Sequence, residues 1–181
     1  KYKLFMIGFG EAAYNIGKGL SEAGLKDIGA FDVMSGDPAA GPCIHALARE
    51  AGVTLAETRD ACYGEAEFVC SLTSAAVAVK VAEGIIPNLK NGQVYVDMNS
   101  ANPAVKEKIA ALPSAEGVRV CDAAVMGTVP GAGHRVPMLL AGDGAQAFYD
   151  AMNQFGMRLT VMDAAAGSAS SSVFMIISAG I

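Results

Sequence analysis

The residues Gly8-Phe9-Gly10-Glu11-Ala12-Ala13 have the G-x-G-x-x-A spacing of a turn that cradles phosphate. In such a turn the first glycine allows a tight bend. The second removes a side chain where a pyrophosphate approaches, and the small third residue lets helix and strand pack closely. The helix that follows offers free N–H groups and partial positive charge to phosphate oxygens. The spacing alone is weak evidence, but its context supports it. The apolar run Tyr2 to Ile7 reads as a buried strand, and Ala12, Ile16, Leu20 and Ala23 recur at helical spacing. Asp32 stands 22 residues after Gly10, at the end of a second strand-like run. A carboxylate there can accept hydrogen bonds from ribose hydroxyls and would repel a 2′-phosphate. The expected ligand is a nicotinamide dinucleotide, NAD in preference to NADP. Gly8, Phe9, Gly10, Glu11, Ala12, Ala13 and Asp32 are its expected contacts. Two rivals are a βαβ unit with Gly-rich turns and no ligand, and a related domain for another cofactor such as S-adenosylmethionine.

Other chemistry-bearing residues are sparse. His134 and Arg135 lie together in a Gly-rich loop. The histidine reads as an exposed loop residue more readily than as an acid–base group. The planar guanidinium of Arg135 suits a carboxylate or phosphate, and equally suits solvent. His45 reads as structural or exposed. The four cysteines, Cys43, Cys62, Cys70 and Cys121, contain no C-x-x-C pair, so neither a zinc site nor any other metal is expected. Cys70 and Cys121 fall in apolar runs and read as small buried residues.

These residues need a scaffold, and the chain supplies one pattern for most of its length. Apolar runs at Tyr2–Ile7, Asp27–Val33, Val53–Leu55, Phe68–Leu72 and Val94–Met98 alternate with helical or turn segments. The helices are expected at Glu11–Ala23, Cys43–Ala51, from a Ser74 cap to Ile86, and from Asn102-Pro103 to Leu112, with a short helix or turn at Ala61–Glu67. This order implies a parallel sheet with helices on both faces. Three more strands, Val118–Ala123, Pro137–Ala141 and Arg158–Met162, follow, with one helix, Ala145–Phe155, between the last two. The expected fold is a doubly wound, mostly parallel Rossmann-type sheet.

Composition bounds the rest. With 181 residues, 52% hydrophobic and 17% charged, the chain is long enough for one sizeable core. A net charge of −5 with scattered cations argues against a nucleic-acid surface. No apolar run reaches membrane-spanning length and no signal peptide is recognisable, so a cytoplasmic protein is expected.

Beyond the glycine turn, further segments resemble the β-hydroxyacid dehydrogenase family, which includes 6-phosphogluconate and 3-hydroxyisobutyrate dehydrogenases. They are Ser71-Leu72-Thr73-Ser74, Val96-Asp97-Met98-Asn99-Ser100-Ala101-Asn102-Pro103, Asp122-Ala123-Ala124-Val125-Met126-Gly127-Thr128 and Pro137-Met138-Leu139-Leu140-Ala141-Gly142. Gly133-His134-Arg135-Val136-Pro137 is similar to a divergent subgroup with poorly defined substrates. The resemblance implies that Leu72, Thr73 and Ser74 line the cofactor and that Asn99 and Ser100 lie near the nicotinamide ribose and the substrate. It places Met126, Gly127 and Thr128 at the family's substrate-binding S-G-G segment. There Met replaces Ser and Thr replaces Gly, so a hydroxyl and a close-approach glycine are lost, with Thr128 as a replacement hydroxyl. Helix capping alone would also account for Ser74 and Asn102.

The resemblance also implies a lysine six residues after the first glycine of the last helix, acting on the reacting oxygen. Counting from Gly167 reaches Val173, and no lysine follows Lys108. The catalytic residue is therefore unassigned. Of two explanations, a relative that has lost the lysine and a stretch missing between Ser171 and Ser172, the second fits the pattern of segments better. The expected organisation is a dinucleotide domain over 1–166, then 167–181 as the start of the family's all-helical second domain, through which a homodimer would form. The expected function is NAD(P)-dependent hydride transfer to or from a small hydroxy acid or semialdehyde; the rival is a dinucleotide sensor without turnover.

Overall fold

Successive residues of the first strand point into opposite cores, which is why that strand is apolar from Leu4 to Ile7. Leu4 and Met6 enter one cluster with Ile16, Leu20 and Phe148, while Phe5 and Ile7 enter another with Ile85, Ile86 and Tyr95. A strand buried on both faces needs apolar residues at every position rather than at alternate ones. In this computed structural model, which describes residues 1–178, that strand lies inside an eight-stranded sheet of order β3-β2-β1-β4-β5-β6-β7-β8.

The strands are β1 (Tyr2–Ile7), β2 (Ile28–Phe31), β3 (Thr54–Leu55), β4 (Ala66–Ser71), β5 (Val94–Asp97), β6 (Arg119–Val125), β7 (Met138–Ala141) and β8 (Leu159–Val161). The helices are α1 (Glu11–Glu22), α2 (Gly41–Ala51), α3 (Ala78–Glu83), α4 (Pro103–Ala110), the short turn α5 (Val129–Ala132), α6 (Ala145–Met152) and α7 (Ser168–Ser178). β1 to β6 are mutually parallel, β7 runs antiparallel to β6, and β8 is parallel to β7. This is the doubly wound Rossmann-type sheet that the alternation implies. No helix among the described residues is long and apolar enough to cross a membrane.

Most element boundaries fall close to expectation, and one helix does not. Ser74 does not cap it. Ser74 is exposed and its carbonyl accepts from the Val77 amide, forming a turn, and α3 begins only at Ala78. It ends at Glu83, and the residues expected to extend it to Ile86 continue as a 3₁₀ turn over Ile86–Asn88. Asn102 does cap: its side chain accepts from the Val105 amide at 3.1 Å, and Pro103 takes the first helical position.

His134 corrects the reading of an exposed loop residue. It is buried, in a 3₁₀ turn after α5, with Nε2 3.0 Å from the Phe155 carbonyl. A carbonyl only accepts, so Nε2 carries the proton. The other side of the ring fills the space above Gly19, where a Cβ would lie 2.1 Å from Nδ1. His134 fastens this loop to α1. Burial holds its pKa below the ordinary 6.5, with a further lowering by Arg135 that the Phe155 bond opposes. Neutral His134 therefore supports the fold fully above pH 6.5. As pH falls below that value the unfolded chain takes up the proton first, and this stability is progressively lost. The expected result is a melting temperature that drops faster below that pH in wild type than in His134→Gln. Parallel pH profiles would show that His134 is not a source of the loss.

Candidate dinucleotide site

Strand order reverses between β1 and β4, so the loops after these two strands diverge and leave a crevice at their carboxyl ends. A cleft of about 790 Å³ occupies it. Its floor is Ile7, Gly8 and Gly10. Its walls are Asp32, Val33 and Met34 after β2, Leu72, Thr73 and Ser74 after β4, and Val77 on the approach to α3. Among the described residues, Val33, Met34 and Val77 are three of the few exposed large apolar side chains, and all three lie here. A largely apolar cleft with a few polar side chains in its walls suits a flat heterocycle joined to phosphates.

Gly8 has φ +90°, and a Cβ there would lie 2.5 Å from the Leu72 carbonyl oxygen. Its glycine identity is thus fixed by the close approach of β1 to β4 as well as by the turn. Gly10 differs: a Cβ there would meet nothing within 4 Å, so its small size opens space rather than relieving a protein contact. Gly10 also precedes α1 without any side-chain cap. The first-turn amides of that helix have no intrahelical partner and face the space that Gly10 leaves open. These residues fit a pyrophosphate. The Phe9 and Ala13 side chains are buried in the core, so only their main chain is available to a ligand. Ala12 is partly buried against the same core, while Glu11 is exposed and lines a second groove with Gly10 and Met34.

Asp32 is partly committed before any ligand arrives. One carboxylate oxygen accepts from the Phe9 amide at 2.7 Å and the other from the Met34 amide at 2.8 Å. These bonds tie the glycine turn to the end of β2, and each oxygen keeps a lone pair. The sequence gives no basic cluster near Asp32, but the structure brings Arg59 and Lys80 into the same cleft. They were missed because they come from distant segments, the turn after β3 and helix α3.

A smaller cavity of about 170 Å³ lies at the ends of β5 and β6, lined by Asn99, Ser100, Ala101, Ala124, Val125, Ser170 and Val173. Asn99 joins it to the main cleft. Its side-chain oxygen accepts from the Thr73 amide at 2.6 Å, and its amide nitrogen donates to Ser71 Oγ at 2.9 Å. Ser100 lines the same small cavity next to Asn99. Met126, Gly127 and Thr128 continue from Val125 but do not line this cavity; Met126 is half-buried, with its amide donating to the Pro137 carbonyl, and the other two are exposed.

The last helix is continuous. α7 runs through Ser171 and Ser172 without interruption, and the Ser172 hydroxyl bonds the Ser168 carbonyl one turn back. Val173 occupies the cavity wall at the counted lysine position.

A cation that sequence reasoning overlooked lies beneath this cavity. Lys106 of α4 is 1% exposed, with Nζ 2.8 Å from the Asp97 carbonyl, 3.4 Å from Asp97 Oδ2 and 3.2 Å from Asp122 Oδ1. Lys106 shares the buried face of α4 with Ile109. A lysine three residues before a core isoleucine, following one of two apolar strands that each carry an Asp, was the signal available. Among the described residues no cluster of metal-ligating side chains occurs.

Residues 3–164 match the family model described as the NAD binding domain of 6-phosphogluconate dehydrogenase. Comparison with curated proteins gives no match. Among solved structures, a conserved hypothetical protein from Sinorhizobium meliloti 1021 is 32% identical with a TM-score of 0.88, over 97% of this chain and 58% of that one. MTH1747, a conserved protein of unknown function described as structurally similar to 3-hydroxyacid dehydrogenases, is 26% identical with a TM-score of 0.81, over 97% and 63%. A reductive aminase from Aspergillus terreus, in complex with NADPH and ethyl levulinate, shares the fold at 20% identity with a TM-score of 0.78, over 99% and 61%. The chain thus spans between 58% and 63% of the length of these structures. With the glycine turn at its switch point and a family match over residues 3–164, the chain belongs to the 6-phosphogluconate dehydrogenase NAD-binding domain family, an NAD(P)-binding domain of oxidoreductase type.

Proposed function

We propose that this domain presents a nicotinamide dinucleotide for hydride transfer to or from a small hydroxy acid or semialdehyde. The observation that carries the reading is the open cleft over Gly10 and the uncapped start of α1, at the point where strand order reverses. Gly8, Gly10 and the main chain of Phe9, Glu11, Ala12 and Ala13 hold the pyrophosphate. Asp32 holds the adenosine ribose, Leu72, Thr73 and Ser74 flank the cofactor, and Asn99 reaches the nicotinamide end. Ser100 lies at the substrate cavity, with Met126, Gly127 and Thr128 at its outer approach. When bound, the nicotinamide supplies or accepts the hydride. A chain that holds it here in the orientation of the small cavity contributes by positioning.

NAD is the proposed partner, because the free lone pairs of Asp32 suit a ribose diol and oppose a 2′-phosphate. Titration with NADH and NADPH, followed by nicotinamide fluorescence, should give tighter NADH binding. Tighter NADPH binding would instead assign the phosphate to Arg59 and Lys80. Asp32→Ala should weaken NADH by about 1–3 kcal/mol, since hydrogen bonds to a charged acceptor are lost. An unchanged affinity would remove its assigned role.

One observation favours a second reading, a dinucleotide sensor. Val173 stands where the family resemblance calls for the lysine, leaving no cationic side chain in the wall of the small cavity. A protein that binds NADH tightly yet leaves nicotinamide absorbance unchanged across a panel of hydroxy acids and semialdehydes would support that reading.

A further inference from the structure

Asp97, the last residue of β5, and Asp122, in the middle of β6, are register partners on adjacent parallel strands, so two buried carboxylates lie side by side under the small cavity. Alone they would repel each other in a medium that screens poorly. The Lys106 ammonium lies between them, within 3.4 Å of one and 3.2 Å of the other. Each carboxylate turns its remaining capacity to a different side of the site. Asp97 Oδ1 accepts from the main-chain and side-chain amides of Asn99. Asp122 accepts from the Gly167 amide at 3.0 Å, from the Ser170 amide at 3.2 Å and from the Ser170 hydroxyl at 2.9 Å. One unbroken polar chain therefore runs from Thr73 in the dinucleotide cleft, through Asn99, Asp97, Lys106 and Asp122, to the start of α7.

We propose that Lys106 is a positioning residue that sets Asn99 against the nicotinamide end of the dinucleotide and holds α7 in register with it. The inference rests on the cofactor placement proposed above. Lys106 is fully buried and touches no cleft, so it acts only through Asn99 and Ser170. A fastening that served the fold alone would not need to end on two residues that line the small cavity.

The distinguishing measurement compares the whole dinucleotide with its adenosine half. Wild type should bind both NADH, read by fluorescence, and ADP-ribose, read by calorimetry. The variant of choice is the double substitution Lys106→Met with Asp122→Asn, which keeps the network's net charge at that of the wild type and avoids two facing carboxylates. It should bind ADP-ribose as wild type does, bind NADH about tenfold more weakly, and alter the emission of bound nicotinamide. Asp122→Asn alone, which leaves Lys106 and Asp97 paired, should retain most of the NADH affinity. Equal loss of both ligands, or no loss of either, would overturn the positioning role. Failure of wild type to bind ADP-ribose would instead overturn the cofactor site itself, and the inference with it.

Discussion

Gly8→Ala is expected to eliminate measurable dinucleotide binding and to destabilise the domain by about 2–6 kcal/mol. Two causes add. Alanine at φ +90° adopts a backbone conformation that costs roughly 1–3 kcal/mol. Its Cβ would also lie 2.5 Å from the Leu72 carbonyl oxygen, which belongs to the main chain and has no rotamer to change. Relief requires β1 and β4 to separate at their carboxyl ends, an overpacking cost of about 1–3 kcal/mol. That separation displaces Leu72, Thr73 and the glycine turn together, so binding is lost with stability. Urea unfolding and NADH titration check the two parts. A folded Gly8→Ala variant with wild-type affinity would show that the cleft floor does not hold the ligand. Gly10→Ala is the informative companion, since its Cβ meets no protein atom. It should leave stability nearly unchanged while still weakening binding, because only the ligand would meet it.

Lys106→Met is expected to cost about 3–5 kcal/mol, the range for removing one partner of a buried ion pair. The methionine fills the volume of the lysine stem, so the loss is electrostatic rather than steric. It arises because Asp97 and Asp122 remain buried without the ammonium, and Asp97 Oδ2 has no hydrogen-bond partner among the described residues. A domain of ordinary stability has about 5–15 kcal/mol in total, so this single change brings it near its limit. Adding Asp122→Asn should recover part of the loss by removing one of the two facing charges. Urea midpoints of the two variants decide it. A double variant less stable than Lys106→Met would show that the charges are not the reason for the cost.

Both predictions concern residues whose roles were unequally visible beforehand. Gly8 could be read from the chain because a strand, a glycine turn and a helix are contiguous in sequence. The reason for its glycine was only half visible, since Leu72 comes from a strand far along the chain. Lys106 was hidden altogether. A lysine in a short helix with polar neighbours reads as a solvated charge, and its burial depends on register placing Asp97 of β5 beside Asp122 of β6. His134 shows the same limit in reverse: a histidine among glycines reads as exposed, yet Gly19 on α1 leaves a recess that its ring fills. Ser74 failed as a cap because hydrogen bonding to its carbonyl closes a turn before α3 can begin.

The sequence by itself determined the parallel alternation of strands and helices, the phosphate-type turn and the acidic residue that follows it. Each depends on residues within one βαβ unit, where spacing and periodicity act locally. Only the tertiary structure decided which distant side chains share a space: Arg59 and Lys80 with Asp32, Val173 with Ser100, and Lys106 with two aspartates. Such meetings are set by strand order and register, which hydrophobic pattern constrains by face but does not assign by partner.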